Sequence, residues 1–184
     1  FVPSRGLGDV YKRQALALNA VSSPGPHPPT GYPMLLFLRT VLEDAVDFDD
    51  ALHRISQTRL LSGGLITLVG RKNHERAVIE RSPTEARIRR PKGSAPLVAT
   101  NDYRALFADQ RTGGSAIYDT ACSRFDAMAI LAHALSPSRP VDDAALLSIL
   151  TDEEILMGIT VQHSIFRPAD RVAAVFTPRR LMVG

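Results

Sequence analysis

The sequence is poor in several features that usually announce a function. It has a single cysteine, Cys122. No intrachain disulfide can form, nothing points to an oxidising compartment, and the cytoplasm is the favoured location. No apolar stretch approaches the ~20 residues of a membrane span, and no apolar segment follows a basic start as in a signal peptide. Basic and acidic residues are interspersed, 22 against 19 for a net charge of +3. Without a long basic stripe, this reads as an ordinary solvated surface rather than a nucleic-acid footprint. His27, His53, His74, His133 and His163 are scattered, with no HExxH and no close Cys/His pair, so no metal site is expected. Gly63-Gly64 and Gly113-Gly114 read as turns, not as phosphate loops, and no organic cofactor is expected. There is no internal repeat and no low-complexity tract.

The 184 residues are 45% hydrophobic, enough for one core. The opening FVPSRGLGDVYKRQ, Phe1 to Gln14, has neither helical nor strand periodicity and resembles translated sequencing adaptor. It is read as a non-native tail, with residues 15–184 as the C-terminal part of one domain. Ala15 to Val21 is a short apolar strand. Ser22 to Pro33, with five prolines and two glycines in twelve residues, is a loop. Leu35, Leu38, Leu42 and Ala45, with Val41, recur at helical spacing and predict a helix over about Pro33 to Val46. Asp47 can cap a second helix whose buried side is Phe48, Ala51, Leu52 and Ile55. The pattern then switches to period two. Leu65–Gly70 and Arg76–Ser82 form a hairpin, and Glu85–Pro91 and Pro96–Thr100 are two further strands.

After Asn101 the chain is irregular to about Asp119. A helix follows, with Phe125, Met128, Ala129, Ala132 and Leu135 on one face and Ser123 as a possible cap. VDDAALLSIL is a second helix with Asp142 or Asp143 in its first turn. Thr151 and Glu154 have capping-box spacing. A hairpin, Ile159–Phe166 and Arg171–Phe176, ends the pattern, and the first strand could pair with it. Helices in blocks between antiparallel strands predict layered α+β rather than a doubly wound sheet.

Few residues suggest chemistry. Asp49-Asp50 and Asp142-Asp143 are helix-start pairs, not acid/base dyads. Cys122 sits at a helix start, where a thiolate is favoured, and could serve a self-contained thiol enzyme. Asn101 ends a buried strand; its amide could donate into an oxyanion hole or cap a turn. Arg124, at a helix start where the dipole opposes it, could bind a carboxylate, orient a carbonyl or form a structural salt bridge.

Three stretches carry a resemblance: the LNAV…GYP…LRTVLEDAVDFDDALHRI run, the LVGRKNHERAVIERSP hairpin and LVATNDY. From Ala15 to Pro178 the chain resembles the C-terminal part of linear-amide hydrolases of the N-terminal-nucleophile type. The likeness is to the penicillin-side-chain acyltransferase family, peptidase family C45, and more distantly to acid ceramidase and the choloylglycine hydrolases. Where that family usually has Thr-Asn, His and an aromatic residue, Asp102 replaces the histidine and Tyr103 keeps the aromatic. Ser123-Arg124 also matches a serine-arginine pair opening a helix.

The resemblance implies a four-layer αββα fold with antiparallel sheets, here partial. It implies an N-terminal cysteine, exposed by autocatalytic cleavage, that attacks a small-molecule acyl amide with its own α-amine as base. Asn101 would help hold the oxyanion. Arg124 is the best match to the pocket arginine, with Arg111 its rival, and Thr100 and Tyr103 flank the same pocket. No residue from Ala15 to Gly184 matches the nucleophile or the arginine and aspartate that follow it. The expected partner is therefore an N-terminal segment of the same protein, without which the chain would be inactive and expose sheet edges. A non-catalytic α+β interaction domain is the alternative.

Overall fold

The computed structural model describes residues 14–24, 28–110, 114–135 and 141–177. Residues 1–13 of the expected tail lie outside this set, as do Arg111, His27 and the expected helix break at 136–140. Strand β1 (Ala15–Asn19) leads through the proline-rich loop to helices α1 (Met34–Asp44) and α2 (Phe48–Gln57). Strands β2 (Gly64–Val69), β3 (Arg76–Arg81) and β4 (Ala86–Arg89) follow. They form one antiparallel sheet in the order β1-β2-β3-β4, with Leu16 opposite Leu68, Ile66 opposite Ile79 and Ile79 opposite Ile88. Beyond a long irregular segment come α3 (Ala116–Asp119), α4 (Ala121–Ala134) and α5 (Asp143–Leu150). The hairpin β5 (His163–Arg167) and β6 (Val172–Phe176) is a separate two-stranded sheet. Two antiparallel sheets and two groups of helices give the expected α+β architecture.

Alternation along β2 and β3 divides the core. Ile66, Leu68, Ala77 and Ile79 face α1 and α2, where they pack with Phe37, Leu38, Val41, Phe48, Leu52 and Ile55. Leu65 and Val78 face the other way, beneath Tyr103, Leu97, Ala99, Leu106 and Phe107. The α1–α2 joint is tight because Asp47 and Asp50 each cap a nearby backbone N–H. Asp47 Oδ1 accepts from the Asp50 N–H at 2.9 Å, and Asp50 Oδ2 accepts from the Val46 N–H at 3.0 Å. The four residues expected on the buried side of α2 are all buried. Asp142 caps α5, accepting from the Ala145 N–H at 2.8 Å.

The structure corrects several expectations. The buried face of α1 is Met34, Phe37, Leu38 and Val41, continued by Ala45, while Leu35 is 71% exposed. Apolar residues run nearly all round this helix, so period alone does not fix its face. Pro96–Thr100 forms no ladder. Proline offers no N–H there, and the Val98 carbonyl accepts from Arg89 Nη1 at 3.1 Å. Ser123 does not cap α4; its hydroxyl donates to the Thr120 carbonyl at 3.1 Å. The face expected for this helix, Phe125, Met128, Ala129, Ala132 and Leu135, is only half-buried, and Ala121 and Arg124 are the buried positions of α4. Thr151 opens no third helix: its hydroxyl donates back to the Leu147 carbonyl at 2.7 Å and closes α5. The Glu154 N–H goes to Asp152 Oδ1 at 3.0 Å instead. Strand β1 pairs with β2, not with the last hairpin.

Candidate active site

The segment from Val98 to Leu106 crosses the sheet face opposite α1 and α2, held at several points. The Thr100 hydroxyl is buried and donates to the Ala121 carbonyl at 2.9 Å, tying the segment to the first turn of α4. The Tyr103 hydroxyl donates to the Arg81 carbonyl at 2.6 Å, and its ring meets Phe107 edge-on with centroids 5.1 Å apart. Burial raises the Tyr103 phenol above its ordinary value, keeping it the donor. Gly63 makes room for it, since a Cβ there would lie 2.5 Å from the Tyr103 oxygen and 2.8 Å from the Arg81 carbonyl. Thr100 and Tyr103 therefore back the segment from within, their hydroxyls engaged with the main chain.

Asn101 lies between these anchors and meets Arg124. Arg124 Nη2 donates to Asn101 Oδ1 at 3.1 Å and to the Ile117 carbonyl at 2.7 Å, while Nε donates to Thr120 Oγ1 at 3.1 Å. Asn101 Nδ2 donates to the Ala20 carbonyl, just past β1, at 2.9 Å. The amide orientation is chemically determined: a guanidinium only donates and a carbonyl only accepts, so oxygen faces Arg124 and nitrogen faces Ala20. One of the two Nδ2 hydrogens is engaged there; among the described residues the other has no partner, leaving a second donor on an amide polarised by a cation. The bond to Ala20 spans 81 positions in sequence, so Asn101 is not a local turn cap.

Arg124 is 9% exposed and, among the described residues, forms no ion pair. The structural salt bridge considered for it is thus not the observed arrangement. Burial lowers the guanidinium from its ordinary value, though arginine remains a cation at any relevant pH. A buried cation whose protein partners are neutral oxygens is suited to a carbonyl or a developing anion.

Asp102 and Cys122 also meet. Cys122 Sγ donates to Asp102 Oδ2 at 3.0 Å, and Arg104 Nε lies 3.5 Å from the same oxygen. A carboxylate this close opposes negative charge on the sulfur, against the thiolate expected at a helix start. Arg111, the rival arginine, lies outside the described residues. Among the described residues no group of His, Cys, Asp and Glu could hold a metal ion. No helix there is long and apolar enough to cross a membrane.

Two residues escaped sequence reasoning. Glu80 and Arg81 are both completely buried on β3. The Arg81 guanidinium donates to the Ser56 and Thr58 carbonyls at the C-terminal end of α2, where a cation suits the helix dipole. Burial lowers it from its ordinary value. Glu80 faces the opposite way, onto residues 104–106. The available signal was an acid and a base side by side after the aliphatic run Ala77, Val78 and Ile79.

A family model described as acyl-coenzyme A:6-aminopenicillanic acid acyl-transferase matches residues 14–169. No curated protein matches the chain. Fourteen chains of solved structures do. One is a Caenorhabditis elegans N-acylethanolamine-hydrolyzing acid amidase ortholog, with a TM-score of 0.60 and 22% identity, over 86% of this chain and 67% of that chain. At that identity the likeness establishes a shared fold and nothing more. Because the family model spans most of the residues, including Asn101 and Arg124, the chain belongs to the acyl-coenzyme A:6-aminopenicillanic acid acyl-transferase family.

Proposed function

We propose that this chain carries the oxyanion-binding part of a hydrolase or acyltransferase acting on linear amide C–N bonds. The observation that carries the reading is the 3.1 Å bond from buried Arg124 to Asn101. It fixes a side-chain amide with an N–H to spare at the end of the sheet.

In this reading the attacking thiol belongs to an N-terminal cysteine freed by autocatalytic cleavage and lying outside residues 15–184. Its α-amine takes the thiol proton, and the thiolate adds to the carbonyl carbon of a small-molecule acyl amide. Asn101 Nδ2–H donates to the carbonyl oxygen as it becomes anionic, and the Arg124 cation stabilises that charge through the polarised amide. Collapse breaks the C–N bond, and the leaving amine takes the proton from the α-ammonium group. Water or an acceptor amine then cleaves the thioester and regenerates the thiol. Thr100 and Tyr103 hold the Asn101 segment from within. Arg111, ten residues beyond Asn101, is the other candidate for the pocket wall. This chemistry needs no metal or organic cofactor.

Protein expressed from the complete gene is expected to release fluorophore from a linear acyl amide, with hydroxylamine diverting product to the hydroxamate. Processed protein with a free N-terminal cysteine and no turnover on a panel of acyl chain lengths would overturn the reading.

A further inference from the structure

We propose that Glu80 is the positioning residue for the Asn101–Arg124 pair: its enclosed carboxylate holds the backbone of residues 104–106, and through them both partners of the pair. The proposal rests on the oxyanion reading of that pair.

Glu80 is 0% exposed, and it follows the buried aliphatic run Ala77, Val78 and Ile79 and precedes the equally buried Arg81. A carboxylate so placed requires dedicated donors, and it has them. Oε2 accepts from the N–H groups of Arg104 at 3.0 Å, Ala105 at 2.8 Å and Leu106 at 2.9 Å. Oε1 accepts from the Arg104 N–H at 3.0 Å and from Arg89 Nε at 2.7 Å. Three successive N–H groups converging on one anion form a nest, and charge assistance strengthens each bond. Residues 104–106 form no strand ladder, so Glu80 takes the place of a paired strand in fixing their backbone.

The connection to the pair runs both ways. Upstream, Arg104 is three residues from Asn101, with Tyr103 between them anchored on β3. Across the site, the Arg104 guanidinium lies 4.0 Å from the Phe125 ring centroid, and its Nη2 lies 3.5 Å from the Cys122 carbonyl. Phe125 and Cys122 flank Ser123-Arg124 on α4. Arg104 is therefore held by Glu80 at its backbone and rests on the turn of α4 that carries Arg124. A residue needed only to fill space on this face could be aliphatic, as Val78 is.

The test is NMR on the full chain, read at the Asn101 side-chain amide and the Arg124 Nε–H. Glu80→Gln keeps the shape but turns a donor toward the nest. It is expected to shift both signals and to speed their exchange with water by about tenfold or more. Arg89→Gln, which takes Nε from Glu80 and Nη1 from the Val98 carbonyl but leaves the nest, should move them less in the same direction. Glu43→Gln on the exposed surface of α1 should not move them. In the acyl-amide assay, Glu80→Gln should lower kcat and leave KM in place. The NMR readings need no turnover, so an inactive protein with shifted signals removes the amidase reading and keeps the positioning role. Folded Glu80→Gln with both signals unchanged overturns the positioning role. Should Glu80→Gln fail to fold, Arg89→Gln and the unmodified chain decide. Amides of 104–106 exchanging as fast as those of the 92–94 turn would overturn the proposal, and exchange as slow as the β2–β3 amides supports it.

Discussion

The two faces of the β1–β4 sheet are held by different means. Toward α1 and α2, contact is almost wholly aliphatic and aromatic, with Ile66, Leu68 and Ile79 against Phe37, Val41 and Ile55. On the other face a small apolar group, Leu65, Val78 and Tyr103, is joined by Glu80 and the directed bonds around Asn101 and Arg124. The first face draws its energy from area removed from water, which is non-directional. The second spends less area and fixes geometry, because each charge-assisted bond has one allowed direction. Glu80 and Arg81, adjacent on β3, mark the division: one holds the Asn101 segment, the other the end of α2.

The contrast can be broken by substitution. Ile79→Ala, on the helix-covered face, should cost about 2–5 kcal/mol of unfolding free energy in a urea titration. The Asn101 side-chain signals of the folded fraction should not move. Tyr103→Phe, on the other face, should cost only about 1 kcal/mol yet perturb Asn101, because it frees the segment from the Arg81 carbonyl. If Tyr103→Phe cost more than Ile79→Ala, the division of labour would be reversed. Asp47→Ala, remote from both, should cost about 1 kcal/mol through loss of the α2 cap.

A smaller effect follows pH. Asp50 is held below its ordinary value by the Arg54 side chain and then by the Val46 N–H. The folded state thus favours the carboxylate more than the unfolded state does. That contribution is complete above about pH 4 and disappears as the pH falls through the lower folded value. Asp50→Asn should flatten the corresponding part of the acid stability curve. Arg39→Ala, which removes an exposed pair with Glu43, should leave Tm unchanged within error.

The same contrast explains what could be read in advance. The buried side of α2 and the β2–β3 hairpin were legible because burial by area leaves a period in the sequence. The α1 face was legible in part: Leu38, Val41 and Ala45 are buried as expected, but Leu35 is exposed because leucines on several sides of that helix satisfy more than one stripe. Pro96–Thr100 looked like a strand because it is apolar, but the Val98 carbonyl is taken by the Arg89 side chain and the Thr100 hydroxyl by α4. Asn101 could be singled out as an amide at the end of an apolar run and Arg124 as a cation opposed by a helix dipole, and the resemblance named a common purpose for them. Their bond, and the dependence of both on Glu80 and Arg104, could not. Contacts between side chains twenty or more residues apart leave no periodic trace.

The most direct measurement is a double-mutant cycle on kcat for linear acyl-amide cleavage, using protein expressed from the complete gene. Asn101→Ala and Arg124→Gln should each lower kcat by about 10²–10³-fold, and the double variant should be little slower than the worse single, because both remove one oxyanion-stabilising unit. Losses that multiply independently, or singles that match the unmodified enzyme, would contradict the account.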